Sequence, residues 1–349
     1  MVRCASSRIE YQIDIALPAG YRECDKRYPV FYLLDANLHF PTAVQAYRCQ
    51  RIEGTVPELI VVGIGYREEG AAIATPAYQM HRARDYTPTP LNHRPTQEEF
   101  QLAMPETGKG REFLEFLKTQ LIPLLDARYR TDPGSRALGG HSLGGLFTTH
   151  VLLNDPTVFS QYWLGSPSLW FNDGEPFTWL ASATKQAIQP SGRAFLSVGA
   201  LEGSFMVDSG RRMAGLLTDS FGSLETVIRV FDDQTHMSVL GASINDALRA
   251  LYAKKPRPLT AQAAGEYVGR WRAAHGETMP IRLDGERLIA SLAASNGVQM
   301  DVELLAESDD RLFFKHYEYQ DIVCERDASG RVVGMSRTLF GQHAKFKRD

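Results

Sequence analysis

The chain has 349 residues, 44% of them hydrophobic and 23% charged, with a formal net charge of -3. That balance carries no electrostatic footprint for nucleic acid or an anionic membrane surface, and it points to a globular protein whose partner is a small molecule. No apolar run reaches the length of a membrane helix, and residues 1–8 lack the apolar core of a signal peptide, so a cytoplasmic location is expected, although an exported protein trimmed of its leader would read the same. Cys4, Cys24, Cys49 and Cys324 show no C-x-x-C spacing and are read as reduced thiols, with a Cys4–Cys24 or Cys24–Cys49 bridge as the alternative.

Residues 9–17 alternate apolar and other side chains with period two, the pattern of a half-buried strand near a sheet edge. Residues 28–35 and 59–65 are continuous apolar runs, as in parallel strands covered on both faces. Between them 40–51 reads as a helix, and 112–122 repeats its apolar positions at helical spacing until Pro123, which is expected to kink or end it. The stretch 66–110 breaks this rhythm with prolines and glycines, and an irregular insert of that length predicts a lid or binding loop. After a strand, turn and helix around Ser142, further strands are expected at 159–166, 194–199 and 226–231, with helices at 177–186, 207–220 and 238–252. Strands alternating with helices predict an α/β domain with a mostly parallel sheet, spanning 1–254.

Lys254, Lys255, Pro256, Arg257 and Pro258 interrupt the pattern, and 255–259 reads as a linker. From 260 a short helix is followed by alternating segments at 281–283, 287–292, 298–304, 311–316, 322–326 and 332–338. The pairs Asp284-Gly285, Asn296-Gly297 and Ser329-Gly330 between them are hairpin signals, so 260–349 is expected to be a small antiparallel β domain. The basic tail around Lys345, Lys347 and Arg348 reads as solvated surface.

The chemistry centres on residues 139–145, where Gly140 and Gly144 flank Ser142 in the G-x-S-x-G pattern. The missing Cβ atoms let a strand and a helix pack closely while the serine sits in a strained, exposed turn, with the Leu143 amide at a helix N-terminus aimed where an oxyanion would form. A serine hydroxyl needs a base, and the base needs an orienting acid. With the chain order serine, acid, histidine, the histidines downstream are His150, His236, His275, His316 and His343. His150 lies about two turns along the serine helix, and the last three belong to the β domain. His236 follows a predicted strand and is the expected base. Glu202 is the first carboxylate after the strand 194–199 and the preferred acid; Asp208 is the alternative, with a helix-start role as its default. The second oxyanion donor is expected from Ala36 or Asn37, after the strand ending at Asp35.

Residues 28–35, 62–66, 82–88, 136–145, 197–202 and His236 together resemble the esterase D-like esterases of the α/β-hydrolase fold, the siderophore (catecholate trilactone) esterases in particular. The resemblance runs from about Ile9 to Tyr252. It implies ester hydrolysis through an acyl-enzyme on Ser142, with His236 and Glu202 in the roles chosen above, and no cofactor or metal. Many relatives carry glycine after the aspartate where this chain has Ala36, which bears on the oxyanion loop. The resemblance also implies arginines facing an anionic catecholate or its iron: Arg82 and Arg84, with Tyr66, are the expected substrate-binding residues, and Arg67, Arg211 and Arg212 are further candidates, ion pairing or solvation being the default for any one of them. Residues 264–271, Phe313 with Phe314, and 322–332 resemble the lipocalin-like β domain appended to some β-lactamase-related serine hydrolases. Tyr267, Trp271, Phe313, Phe314 and Tyr317 are expected to form its core. The function expected is therefore serine ester hydrolysis on a small molecule. The alternatives are an acyltransferase using the same site and a non-catalytic binding protein; a β-lactamase would need Ser-x-x-Lys, which Ser142 does not begin.

Overall fold

The computed structural model describes residues 2–3, 9–67, 75–92, 106–293, 298–339 and 341–349. Its contacts divide the chain into two units, residues 1–47 with 58–251 and residues 48–57 with 252–349.

In the first unit one eight-stranded sheet is built from β1 (Val2–Arg3), β2 (Glu10–Ala16), β3 (Tyr28–Leu34), β4 (Ile60–Tyr66), β5 (Thr131–His141), β6 (Gln161–Gly165), β7 (Gly192–Gly199) and β8 (Leu224–Phe231). The spatial order is β1-β2-β4-β3-β5-β6-β7-β8, antiparallel at β1 and β2 and parallel from β4 to β8. Helices α1 (Ala36–Glu53), α2 (Pro76–Tyr86), α3 (Gly110–Phe116), α4 (Ile122–Arg128), α5 (Leu143–Asn154), α6 (Phe171–Ala183), α7 (Ser204–Ser220) and α8 (Leu240–Tyr252) connect the strands. This is the α/β-hydrolase arrangement. The apolar runs sit where full burial demands them: Val30 to Leu34 in β3 are 0% exposed, and α5 is buried on every side, the hydroxyls of its Thr148 and Thr149 donating to the Gly144 and Gly145 carbonyls one turn back. Strand order reverses between β3 and β5, and in open α/β sheets that is where a ligand crevice opens at the carboxyl ends.

Two local expectations change. Pro123 does not end its helix: Leu117–Leu121 form a π-helical turn, and α4 restarts with the proline in its first turn, where a missing N–H breaks no intrahelical bond. The insert 66–110 is not irregular throughout, since it contains α2. Thr75 caps that helix by accepting a bond from the Tyr78 amide (3.2 Å), and Pro76 occupies its first position. The rest of the insert at 68–74 and 93–105 lies outside the described residues, as does Cys4; Cys24, Cys49 and Cys324 are free thiols.

The second unit contains α9 (Ala261–Gly265) and a closed barrel of β9 (Gly269–Ala273), β10 (Thr278–Asp284), β11 (Arg287–Ala293), β12 (Gln299–Ser308), β13 (Arg311–Phe314), β14 (Tyr317–Arg326), β15 (Val332–Leu339) and β16 (Gln342–Arg348). Each strand is antiparallel to its sequence neighbour, and β16 returns to pair with β9. Gly285 and Gly330 take the left-handed conformation their hairpin turns need, and Asn296-Gly297 lies outside the described residues. The basic tail is not free surface but the closing strand: Ala344 and Phe346 point into the core while Lys345 and Lys347 point out. Closure removes both sheet edges. Tyr267, Trp271 and Phe314 join Phe346 in that core, and the Trp271 indole N–H donates to Tyr267 O at 2.9 Å. Phe313 is buried outside this cluster, and Tyr317 is half-buried. Phe346→Ala should therefore lower the stability of the barrel by about 3–5 kcal/mol, read as a fall in the urea midpoint, whereas Lys347→Ala on the outer face should change it by about 0.5 kcal/mol or less.

Candidate active site

β5 ends at His141 and α5 begins at Leu143, so the whole change of direction falls on Ser142, at φ 60 and ψ -117. An L-residue held there is strained by about 1–3 kcal/mol. Its backbone is pinned on both sides: the N–H donates to Gly165 O (2.8 Å), and the carbonyl accepts from Leu146 N (2.9 Å) and Ser168 N (3.2 Å). The flanking glycines are steric requirements. A Cβ on Gly140 would stand 2.5 Å from the Gly144 carbonyl, and one on Gly145 would stand 2.7 Å from Gly165 O.

Glu202 lies in a short 3-10 turn after β7, and His236 lies in the loop between β8 and α8. His236 Nδ1 is 2.6 Å from Glu202 Oε2. Glu202 Oε1 accepts from Ser166 Oγ and from the Gly199 amide, both at 2.6 Å. Burial alone would raise the Glu202 pKa, but the bonds from His236, Ser166 and Gly199 outweigh it and hold the carboxyl below its ordinary value of 4.5. The two loops are tied together by Leu201 N donating to Gln234 O (2.9 Å), and the His236 turn is closed by Thr235 N donating to Ser238 Oγ (2.9 Å). Ser142, Glu202 and His236 thus follow the carboxyl ends of β5, β7 and β8 at one sheet edge. Asp208, the alternative acid, is exposed on α7. His150 is buried on α5 beside Asn154.

Two further residues at the site lie outside the sequence-based expectations. Ser166, at φ 34, fixes Glu202 and donates its own N–H to Ser197 O (2.7 Å). His141 packs its ring 4.5 Å from that of His236, and neither of its ring nitrogens has a hydrogen-bond partner among the described residues. The Gly165-Ser166-Pro167 turn at a strand end was the available signal for Ser166; His141 was read only as the variable position of the serine motif.

On the other side of Ser142, Leu143 opens α5, and Ala36 and Asn37 open α1, so all three expected oxyanion amides lie in first helical turns, where N–H groups lack intrahelical acceptors. β3 and β5 are adjacent, and a Cβ on Gly144 would lie 3.4 Å from Asp35 Oδ2, so the two turns touch. The Asn37 side chain bonds both the N–H (2.8 Å) and the carbonyl (2.7 Å) of Tyr66, clamping α1 to the end of β4.

Arg82, Arg84 and Tyr66, expected to bind substrate, each have internal partners. Arg82 forms a two-point ion pair with buried Asp35 (2.6 and 2.9 Å). Arg84 donates to buried Asp85 (2.9 Å), whose other oxygen accepts from Tyr11 (2.8 Å) and Tyr66 (3.0 Å). Burial raises the Asp85 pKa, opposed by Arg84 and the two tyrosines. A buried carboxylate draws in an arginine within reach, so both cations are already ion-paired. Arg67 pairs with Glu10, and Arg212 lies over the Phe177 ring at 4.2 Å. Among the described residues no three His, Cys, Asp or Glu side chains converge as metal ligands.

The family model described as "Putative esterase" matches residues 5–209. The chain is a member of that family. This esterase is 37% identical over 276 residues to the ferri-bacillibactin esterase BesA of Bacillus subtilis (strain 168), covering 73% of this chain and 90% of the relative. It is 33% identical over 173 residues to a siderophore enterobactin esterase of Emericella nidulans, covering 47% of this chain and 55% of that one. Among solved structures it is similar to the BES protein from Bacillus cereus, with a TM-score of 0.62 at 28% identity over 72% of this chain and 94% of that chain. The siderophore hydrolase EstA from Aspergillus nidulans gives a TM-score of 0.59 at 26% identity over 68% of this chain and 88% of that chain.

Because the folded pKa of Glu202 lies below its ordinary 4.5, the stability it contributes is present above that ordinary value and is lost as pH falls through the lower folded one. The gap in urea stability between the parent esterase and Glu202→Gln should be open at neutral pH and close as the pH falls below the ordinary value of 4.5 and through the lower folded one. A gap unchanged across that range would mean that Glu202 is not held as a carboxylate by these bonds.

Proposed function

We propose that this esterase cleaves the ester bonds of a siderophore through a covalent acyl-enzyme, with Ser142 as nucleophile, His236 as base and Glu202 as the acid that orients it. The observation that carries the reading is the 2.6 Å contact of His236 Nδ1 with Glu202 Oε2, made at the same sheet edge as the strained Ser142 turn. With its Nδ1–H given to the carboxylate, the imidazole keeps a lone pair on Nε2 and takes the Ser142 proton as Oγ attacks the ester carbonyl. The carbonyl electron pair moves onto oxygen, where the amides of Leu143 and of Ala36 or Asn37 are the donors. Collapse breaks the bond to the alcohol oxygen, which receives the proton from His236, and the acyl group stays on Ser142. Water then attacks, His236 accepts its proton and returns it to Oγ, and the acid leaves.

The substrate class follows from the names of the relatives and from the rim of the site. Leu201, Phe205 and Met237 are 61%, 60% and 55% exposed and stand within three residues of Glu202 or His236, which suits a bulky apolar or aromatic acyl group. The test uses p-nitrophenyl acetate beside a catecholate trilactone, whose linear fragments are read by mass spectrometry. Ser142→Ala is expected to lower kcat by about 10⁴-fold or more on both. Retention within a few-fold removes Ser142 from the mechanism. Turnover of the simple ester with an intact trilactone removes the siderophore assignment alone.

A further inference from the structure

Asp35 is the residue on which α1 starts, and it is held in a conformation it would not keep alone. Its φ is 55, and it is 0% exposed. Every polar group it has is tied: its N–H donates to Tyr86 Oη (3.2 Å), and its carbonyl accepts from Leu38 N and His39 N, both at 3.0 Å. Its Oδ1 accepts from Tyr78 Oη and Arg82 Nε, both at 2.6 Å, and its Oδ2 accepts from Arg82 Nη2 at 2.9 Å. The Arg82 guanidinium is itself located by Gln79 Oε1 (3.2 Å) and by the Tyr78 and Tyr86 rings, each 5.7 Å away. Burial would lower its pKa, but Asp35 and Tyr78 raise it above the ordinary arginine value, so the guanidinium keeps its charge. The Asp35 carboxylate stands against the first turn of α5, as the approach of Oδ2 to Gly144 shows.

We infer that Arg82 is a positioning residue of the oxyanion hole: its fork holds the left-handed Asp35 that aims the Ala36 and Asn37 amides, and its charge cancels a carboxylate that would otherwise face the developing oxyanion. The inference rests on the acyl-transfer reading above. Two anions beside each other in a site shielded from water repel far more than in solution, so an unpaired Asp35 raises the barrier of the step that puts charge on the carbonyl oxygen. Substrate in its ground state carries no such charge and is bound as before. The two halves of the pair are therefore unequal in catalysis, although removing either breaks the same contact.

The experiment compares Arg82→Met, Asp35→Asn and the double variant in the full chain, with p-nitrophenyl acetate as substrate and folding followed by circular dichroism. Arg82→Met should lower kcat about 100-fold with KM changed by no more than about threefold, the size of effect seen when one oxyanion donor is lost. Asp35→Asn, which leaves a cation beside the hole, should lose less than about tenfold, and adding it to Arg82→Met should recover about tenfold. Equal losses in the two single variants, no recovery in the double variant, or full kcat in Arg82→Met overturns the inference. If Arg82→Met does not fold, the same ordering is read between Arg82→Gln and Asp35→Asn. Ser142→Ala is run in parallel: activity surviving in it defeats the acyl-enzyme reading, whereas an inactive Ser142→Ala beside a fully active Arg82→Met defeats this inference alone.

Discussion

The constraint on which the first unit turns is that Ser142 stays at φ 60 and ψ -117 only because its surroundings allow no other path. Strain of about 1–3 kcal/mol is comparable to the net worth of the three backbone bonds at Ser142, each about 0.5–1.5 kcal/mol. Those bonds alone would leave the turn marginal. What makes it rigid is α5, whose residues from Leu143 to Leu153 are all buried, so that unwinding the turn would move an entire apolar helix. Gly140 and Gly145 are the sites at which that close packing would otherwise fail.

One loop supports both Ser142 and Glu202. Gly165 O accepts the Ser142 amide, Ser168 N donates back to Ser142 O, and Ser166 between them donates to Glu202. A shift of this loop would therefore displace Ser142 and Glu202 together, which keeps their relative geometry. Ser166 is anchored in turn by β7, through its N–H to Ser197 O. Glu202 is thus fixed by neighbouring strands of one parallel sheet and not by a flexible side chain alone.

The elements whose signals are local were legible in the sequence: continuous apolar runs for β3 and β4, strand-glycine-serine-glycine-helix for the turn, and the first carboxylate and the histidine after β7 and β8. What escaped depends on partners far along the chain. Arg82 and Arg84 look like free cations in a polar stretch, and only the fold brings Asp35 to Arg82 and Tyr11 beside Asp85. The fate of β16 was hidden for a similar reason: Ala344 and Phe346 are too few apolar positions to announce a strand until β15 pairs with both and β9 with Phe346. Pro123 misled because its effect depends on position within a helical turn, and a π-helical turn before it moves it to a place where it is harmless.

The Asp35–Arg82 pair also bears on which imidazole near Ser142 can carry a proton. His39, His141 and His236 lie in a row, with ring centroids 6.1 Å apart for the first two and 4.5 Å for the last two. Burial pushes His39 down to about 4, with Asp35 acting against that and Arg82 reinforcing it. Burial pushes His141 well below its ordinary value too, and the charges of His236, His39 and Arg82 add to the effect. The two inner rings are thus neutral at neutral pH, burial outweighing Asp35 at His39, whereas His236 has the Glu202 carboxylate bonded at Nδ1. On the acyl-transfer reading proposed above, an imidazolium formed at His236 has its counter-ion at Nδ1 and an uncharged ring beside it, so the charge has no reason to leave His236 for the interior.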